Sequence, residues 1–226
     1  MYHSVDSSDH FFNVLPEDFE RQMCYLRERG FNIVSLDQLA EYRKAGKIPR
    51  KTIAVTFDDG YLDNYTHAFP VLQKYSIPAS IFVITDTMTH PDRVQGAPRL
   101  PMLTESLLIE MDVSGLVSIE PHTVTHPKLT KISEADVERE VRDSRVCIEK
   151  ILHKKCAHFA YPKGRHNEMV RAVVARDGIE NAYIVEPGMV GPQTDSYLLN
   201  RNSIDSQTTF TQFKSIVRHG RMRPLF

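Results

Sequence analysis

The sequence predicts an α/β fold with a mostly parallel sheet, and three observations predict it. Helical and strand patterns alternate from one end of the chain to the other, the order that places helices between parallel strands. Runs such as Thr52-Ile53-Ala54-Val55 and Ala79–Ile84 are short, apolar and free of polar alternation, as expected of strands covered on both faces. The 226 residues suffice for one sizeable core and fall short of two ordinary domains. With neither an internal repeat nor a linker, residues 1–226 read as a single domain. The number of strand patterns suits a barrel of about seven strands.

Taken in order, Tyr2–Val5 reads as the first strand. Pro16 suits the first turn of a helix whose Phe19, Met23 and Leu26 share a face, and Gly30 closes it. Phe31–Val34 is the next strand. Ser35 caps a helix through Leu36, Leu39 and Ala40 that ends at Gly46. After the Thr52 strand, a helix around Tyr65–Tyr75 carries Pro70, so it begins late or kinks. Residues Asp86–Met102 are rich in Pro, Gly and charge and read as a surface loop over the strand ends. Thr104 is placed to cap a helix to about Met111. A strand at Leu116–Ile119 follows. Ser133 with Asp136 resembles a capping pair for a long helix to about Leu152, whose charges (Glu138, Arg139, Glu140, Arg142) read as a solvated face. Ala157–Tyr161 and Ala182–Val185 are strands around a helix at Glu168–Arg176. A last strand at Leu198–Ile204 and a helix near Phe210–Val217 complete the chain.

Two clusters carry chemistry. Thr56-Phe57-Asp58-Asp59-Gly60 closes a strand with adjacent carboxylates, which alternation points in different directions at one mouth. Close carboxylates repel and ask for a cation; the simpler reading is a polar turn in which one Asp caps the next helix. The second cluster, His122-Thr123-Val124-Thr125-His126, also follows a strand. Imidazoles four apart lie on one face of a helical turn and reach one ion, and with one Asp they form a set that leaves positions open for water and substrate.

Together, Thr-Phe-Asp-Asp-Gly and His-Thr-x-Thr-His-Pro-x-Leu resemble the NodB-type polysaccharide deacetylases, carbohydrate esterase family four. The resemblance runs from Tyr2 to about Phe213. Tyr2-His3-Ser4-Val5 and Phe159–Gly164 resemble the subgroup of biofilm poly-N-acetylglucosamine deacetylases. The resemblance implies a distorted, incomplete (β/α) barrel with its chemistry at the carboxyl ends of the strands. It implies a metal set of Asp59, His122 and His126. Zinc suits mixed nitrogen and oxygen ligands at an open site, and cobalt, nickel or iron fits similar geometry. Asp58 is the expected general base, and the backbone N–H of Lys163 the expected oxyanion donor. The chain departs from the family twice. Ala160 stands where many members carry an Arg that pairs with the catalytic Asp; Arg201 is the candidate replacement, the alternative being a surface arginine. No late Leu-x-x-His motif occurs, and His219 in the basic tail Arg218–Arg223 lacks its context. His3 is therefore the candidate general acid, the alternative being a buried structural histidine.

The expected activity is metal-dependent removal of N-acetyl groups from an N-acetylhexosamine glycan. The competing readings are an O-acetyl esterase, a carbohydrate-binding protein with a decayed site and a non-haem iron oxygenase, the last disfavoured by helix–strand alternation. A formal net charge of −1 gives no basic field for nucleic acid, and no apolar stretch is long enough to span a membrane. The chain opens part-way through its first strand, so a targeting or anchoring segment is expected before it; the family implies the periplasm, the cell surface or secretion. Cys24 and Cys147 read as small buried thiols in helices, with a Cys147–Cys156 bridge conceivable only in an oxidising compartment. There is no Trp, so any stacking on sugar falls to Tyr or Phe.

Overall fold

The computed structural model describes residues 1–90 and 100–221. The strands are β1 (Ser4–Val5), β2 (Asn13–Val14), β3 (Asn32–Ile33), β4 (Thr52–Ile53), β5 (Val55–Asp59), β6 (Ala79–Val83), β7 (Val117–Pro121), β8 (His158–Ala160) and β9 (Asn181–Tyr183). The helices are α1 (Pro16–Glu28), α2 (Leu36–Lys44), α3 (Phe69–Tyr75), α4 (Glu105–Val113), α5 (Glu134–Leu152), α6 (Glu168–Arg176) and α7 (Phe210–His219). Every ladder is parallel, as the unbroken apolar runs require. The central sheet is β5-β6-β7, with Asp59 opposite Val83 and Val83 opposite Pro121, so three carboxyl ends share one edge.

The described ladders do not close into the expected seven-stranded barrel. They form one three-stranded and three two-stranded sheets. Four of the strands are only two residues long. The expected strand at Leu198–Ile204 reduces to one bridge, Leu199 to Tyr183, because its later residues turn their hydrogen bonds elsewhere: Ile204 N–H donates to Met1. Tyr2 links the first strand to β5, donating to the Thr56 carbonyl and accepting from Asp58 N–H.

Most helix boundaries follow local chemistry. Ser35 and Ser133 accept from the Gln38 and Asp136 N–H groups and cap α2 and α5. Pro70 sits in the first turn of α3, after a π-turn at Asn64–Ala68. Thr104 precedes α4 without capping it, since its hydroxyl pairs with that of Ser106. The Asp86–Met102 loop lies partly outside the described residues; its start joins a 3-10 turn, Thr85–Met88. Met222 and Arg223 of the basic tail also lie outside them. No described helix is long and apolar enough to cross a membrane. The cysteines are free; Cys156 is buried, whereas Cys24 and Cys147 are only half-buried because they flank the buried stripes of α1 and α5.

The core has two main parts. One packs α1, α3, α4 and α7 on the central sheet, and the other packs α5 and α6 on β8 and β9. Phe57 anchors the site from below: fully buried, it stacks on Tyr2 and lies against Phe19 at ring-centroid distances of 5.5 and 5.7 Å. Its neighbours in sequence, Asp58 and Asp59, are thereby held at the end of β5 by about 2 kcal/mol or more of aromatic burial.

Candidate active site

The end of β5 turns sharply because two successive residues are left-handed, Asp59 at φ 73° and Gly60 at φ 83°. Glycine is required at the second position: a Cβ there would meet Val83 Cγ1 at 3.2 Å in a conformation that L-residues rarely adopt. Asp59 bears that conformation with a side chain, a cost of order 1 kcal/mol that structures retain where it serves a site. Tyr61 Oη donates to Asp59 Oδ2 at 3.2 Å, leaving Oδ1 buried with no hydrogen-bond partner.

That orphaned oxygen faces two imidazoles. His122 Nε2 and His126 Nε2 lie 3.6 and 3.7 Å from Asp59 Oδ1, and one ligand atom from each of the three residues falls within 4.8 Å of the others. Nitrogen and oxygen donors so disposed, with one oxygen unsatisfied, fit a divalent transition metal. The His122–His126 segment is not the helical turn expected from the spacing. Thr123 (φ 70°) and His126 (φ 58°) are left-handed, and the loop folds back until the two rings are 4.9 Å apart. His122 is held in one tautomer. Its Nδ1–H donates to the Ala160 carbonyl at 2.7 Å, which leaves the Nε2 lone pair for a ligand. Burial pushes both imidazoles down to about 4, so they are neutral and ready to coordinate at ordinary pH.

Asp58 shares the same mouth, its Oδ2 4.0 Å from His122 Nε2, and its carboxylate meets Arg201. Arg201 Nη1 and Nη2 donate to Asp58 Oδ1 and Oδ2 at 2.5 and 2.7 Å, a fork-on-fork pair. Burial is the largest influence on Asp58 and raises its pKa, but Arg201, His122 and His3 together outweigh it and hold the carboxyl well below its usual range. Ala160 leaves room for this arrangement, packing with Phe82, Tyr183 and Leu199 beneath the guanidinium, which lies 5.2 Å from the Phe82 ring.

Lys163 occupies the 3-10 turn Pro162–Gly164 with φ 58°. Gly164 N–H and Arg165 N–H bond back to Tyr161 and Pro162, while the Lys163 N–H has no partner among the described residues. Gly164 cannot be replaced here, since a Cβ would lie 2.5 Å from the Val185 nitrogen. A charge on the Lys163 side chain is felt at His126.

His3 stands between the Tyr2 bridge and β1, on the amino side of that strand, because the ladder forms only at Ser4–Val5; a charge on it is felt at both Asp58 and His126. Its backbone is clamped by residues that the sequence reading did not single out. Asn64 Nδ2 donates to the His3 carbonyl at 2.8 Å, and buried Asp63 accepts from Ser4 Oγ and Val5 N–H at 2.7 and 3.0 Å. A second omission is Glu140, read as part of a solvated face. Its carboxylate accepts from Val124 N–H, Thr125 N–H and Thr125 Oγ1 at 2.8, 2.9 and 2.6 Å, tying the histidine loop to α5. The available clue was position: α5 begins eight residues after His126 and must return past that loop. His219 ends α7, whose last turn carries no other site residue.

The chain is similar to known proteins in both sequence and fold. A family model described as polysaccharide deacetylase matches residues 45–182. YxkH of Bacillus subtilis (strain 168), assigned by name to the polysaccharide deacetylases, is 32% identical over 202 residues, covering 89% of this chain and 68% of that protein. The poly-beta-1,6-N-acetyl-D-glucosamine N-deacetylase of Staphylococcus aureus (strain MSSA476) is 29% identical over 198 residues, 84% of this chain and 67% of its own length. Among solved structures, the Streptococcus pyogenes deacetylase PplD in complex with acetate superposes with a TM-score of 0.84 at 25% identity, covering 99% of this chain and 96% of that one. With motifs, fold and relatives in agreement, this chain belongs to the polysaccharide deacetylase family.

Proposed function

We propose that this protein removes N-acetyl groups from N-acetylhexosamine residues of a cell-envelope polysaccharide, outside the cytoplasm, using one divalent metal held by Asp59, His122 and His126. The observation that carries the reading is the buried, unpartnered Asp59 Oδ1 between two neutral imidazoles, next to a carboxylate that an arginine keeps ionised. The hexosamine is supported by the staphylococcal relative's name and acetate chemistry by the acetate in the streptococcal structure.

Zinc suits the ligand set best, with cobalt, nickel or iron also compatible. Such an ion, when bound, supplies the Lewis acidity that lowers the pKa of water toward neutrality. Asp58 then takes the proton of the attacking water. Its own basicity is weak, which a water of lowered pKa tolerates, and Arg201 fixes its orientation. The Lys163 N–H donates to the oxygen that gains charge as the acetamide carbonyl is attacked. His3, as imidazolium, gives its proton to the leaving nitrogen while the C–N bond breaks, leaving acetate and a free amine.

The test is metal analysis of the purified protein together with acetate release from N-acetylglucosamine oligomers and from acetylated xylan. Release from the oligomers is expected. Release from xylan alone would make the protein an O-acetyl esterase, and binding of oligomers without release would make it a lectin-like protein with a decayed site.

A further inference from the structure

Phe11 and Phe12 are the only exposed phenylalanines or tyrosines among the described residues, at 52% and 37%. They lie side by side, edge to face with centroids 5.2 Å apart. The Phe12 ring also packs on His3, 4.8 Å away.

The pair is held rather than floppy. Phe12 C=O accepts from Ser4 N–H, and Phe11 C=O from Ser206 N–H at 3.1 Å. The loop before them is stapled by Asn13, whose Oδ1 accepts from Asp6 N–H at 2.8 Å and whose Nδ2 donates to the Ser8 carbonyl at 2.7 Å. Ordered aromatic surface left facing water is costly, and rigid aromatic surface beside a reactive group is what a binding platform needs.

We propose that Phe11 and Phe12 form a stacking subsite for the pyranose rings of the glycan, a role that rests on the deacetylase reading and on His3 as its acid. The argument is one of reach. If His3 protonates the leaving nitrogen, the sugar carrying that nitrogen lies against His3. Phe12 touches the His3 ring, so its open face is within one pyranose of the reacting carbon, and Phe11 extends the same surface by one further ring. The axial C–H face of a β-linked hexosamine is apolar and flat enough to cover a phenyl ring, while its hydroxyls stay in water. A chain without Trp has no other exposed ring of this size among its described residues.

The experiment compares metal-loaded wild type, Phe11→Ala and Phe12→Leu on a β-1,6-linked N-acetylglucosamine pentasaccharide and on an aryl acetate. Phe11→Ala should raise KM for the pentasaccharide about tenfold, the loss expected for one ring-sized apolar contact. Its loss on the aryl acetate should be smaller by about the same factor, because that substrate's single ring, leaving from beside His3, does not extend to Phe11. Phe12→Leu, which keeps an apolar side chain next to His3, should behave likewise with a smaller effect. Equal losses on both substrates would assign the pair to structure and overturn the subsite, as would an unchanged pentasaccharide KM. Loss of binding to phosphatidylglycerol vesicles with unchanged glycan kinetics would assign the aromatics to a lipid surface instead. If the wild type cleaves the aryl acetate and no acetylated glycan, the deacetylase reading fails and the subsite with it. An active wild type with an unaffected Phe11→Ala refutes the subsite alone.

Discussion

Replacing Arg201 with Met tests the electrostatic logic of the site most directly. The substitution keeps an unbranched apolar stem but removes the guanidinium and with it both hydrogen bonds to Asp58, in a pair whose side chains are 5% and 3% exposed. Taking one partner from a buried ion pair costs about 3–5 kcal/mol, because the charge left behind is unsolvated. In a chain of this length that is a fall in Tm of roughly 10 °C. The pH dependence carries the stronger test. In the wild type the folded Asp58 pKa lies below its unfolded value, so the pair stabilises the protein above about pH 4 and the benefit is lost as pH falls through the folded value. Without the guanidinium, burial dominates and the carboxyl pKa moves above its ordinary value. The stability gap between wild type and variant should therefore be widest at neutral pH, narrow as pH falls through the variant's raised pKa, and go on narrowing below about pH 4 until Asp58 is protonated in the folded wild type as well. Turnover should acquire a new acid limb as the base becomes protonated. The assays are urea denaturation of the metal-loaded proteins at several pH values and acetate release over the same range. Adding Asp58→Asn to Arg201→Met should recover part of the lost stability, since no buried charge is then stranded. A single variant within 1 kcal/mol of wild type at neutral pH, or one whose stability gap ignores pH, would refute the reasoning.

Four further outcomes are expected. His126→Ala should lose its metal and nearly all activity by elemental analysis and acetate release; full metal occupancy would remove the ligand assignment. Asp58→Asn should retain metal while turnover falls by roughly two to four decades; if the metal leaves too, the two aspartates have exchanged roles. His3→Ala should lose roughly two or more decades on the amide and far less on an aryl acetate, whose leaving group needs no proton; parallel losses would mark His3 as structural. Glu140→Ala should free the Val124–Thr125 amides and weaken metal affinity about 10- to 100-fold in a chelator competition, the range seen when an outer partner of a ligand loop is lost. Unchanged affinity would return Glu140 to the solvated face.

The sequence alone determined the α/β class, most helices and the trio Asp59, His122 and His126, which the structure brings together as a candidate metal site. Each of these is written locally: helical and strand periods repeat within a dozen residues, Ser35 and Ser133 cap the turn that follows them, and the Asp and His motifs sit at strand ends where alternation aims them. Tertiary structure decided what holds those residues in place. Arg201 reaches Asp58 across 143 positions, the Ala160 carbonyl orients His122 across 38, and Asn64 fixes His3 across 61. Glu140 is indistinguishable in sequence from the exposed charges beside it until α5 is laid against the histidine loop. The same reason explains the strands that were misjudged. A two-residue strand has no period to read, and whether Leu198–Ile204 joins a ladder depends on which neighbour's N–H and C=O groups are still free once the rest of the chain has packed.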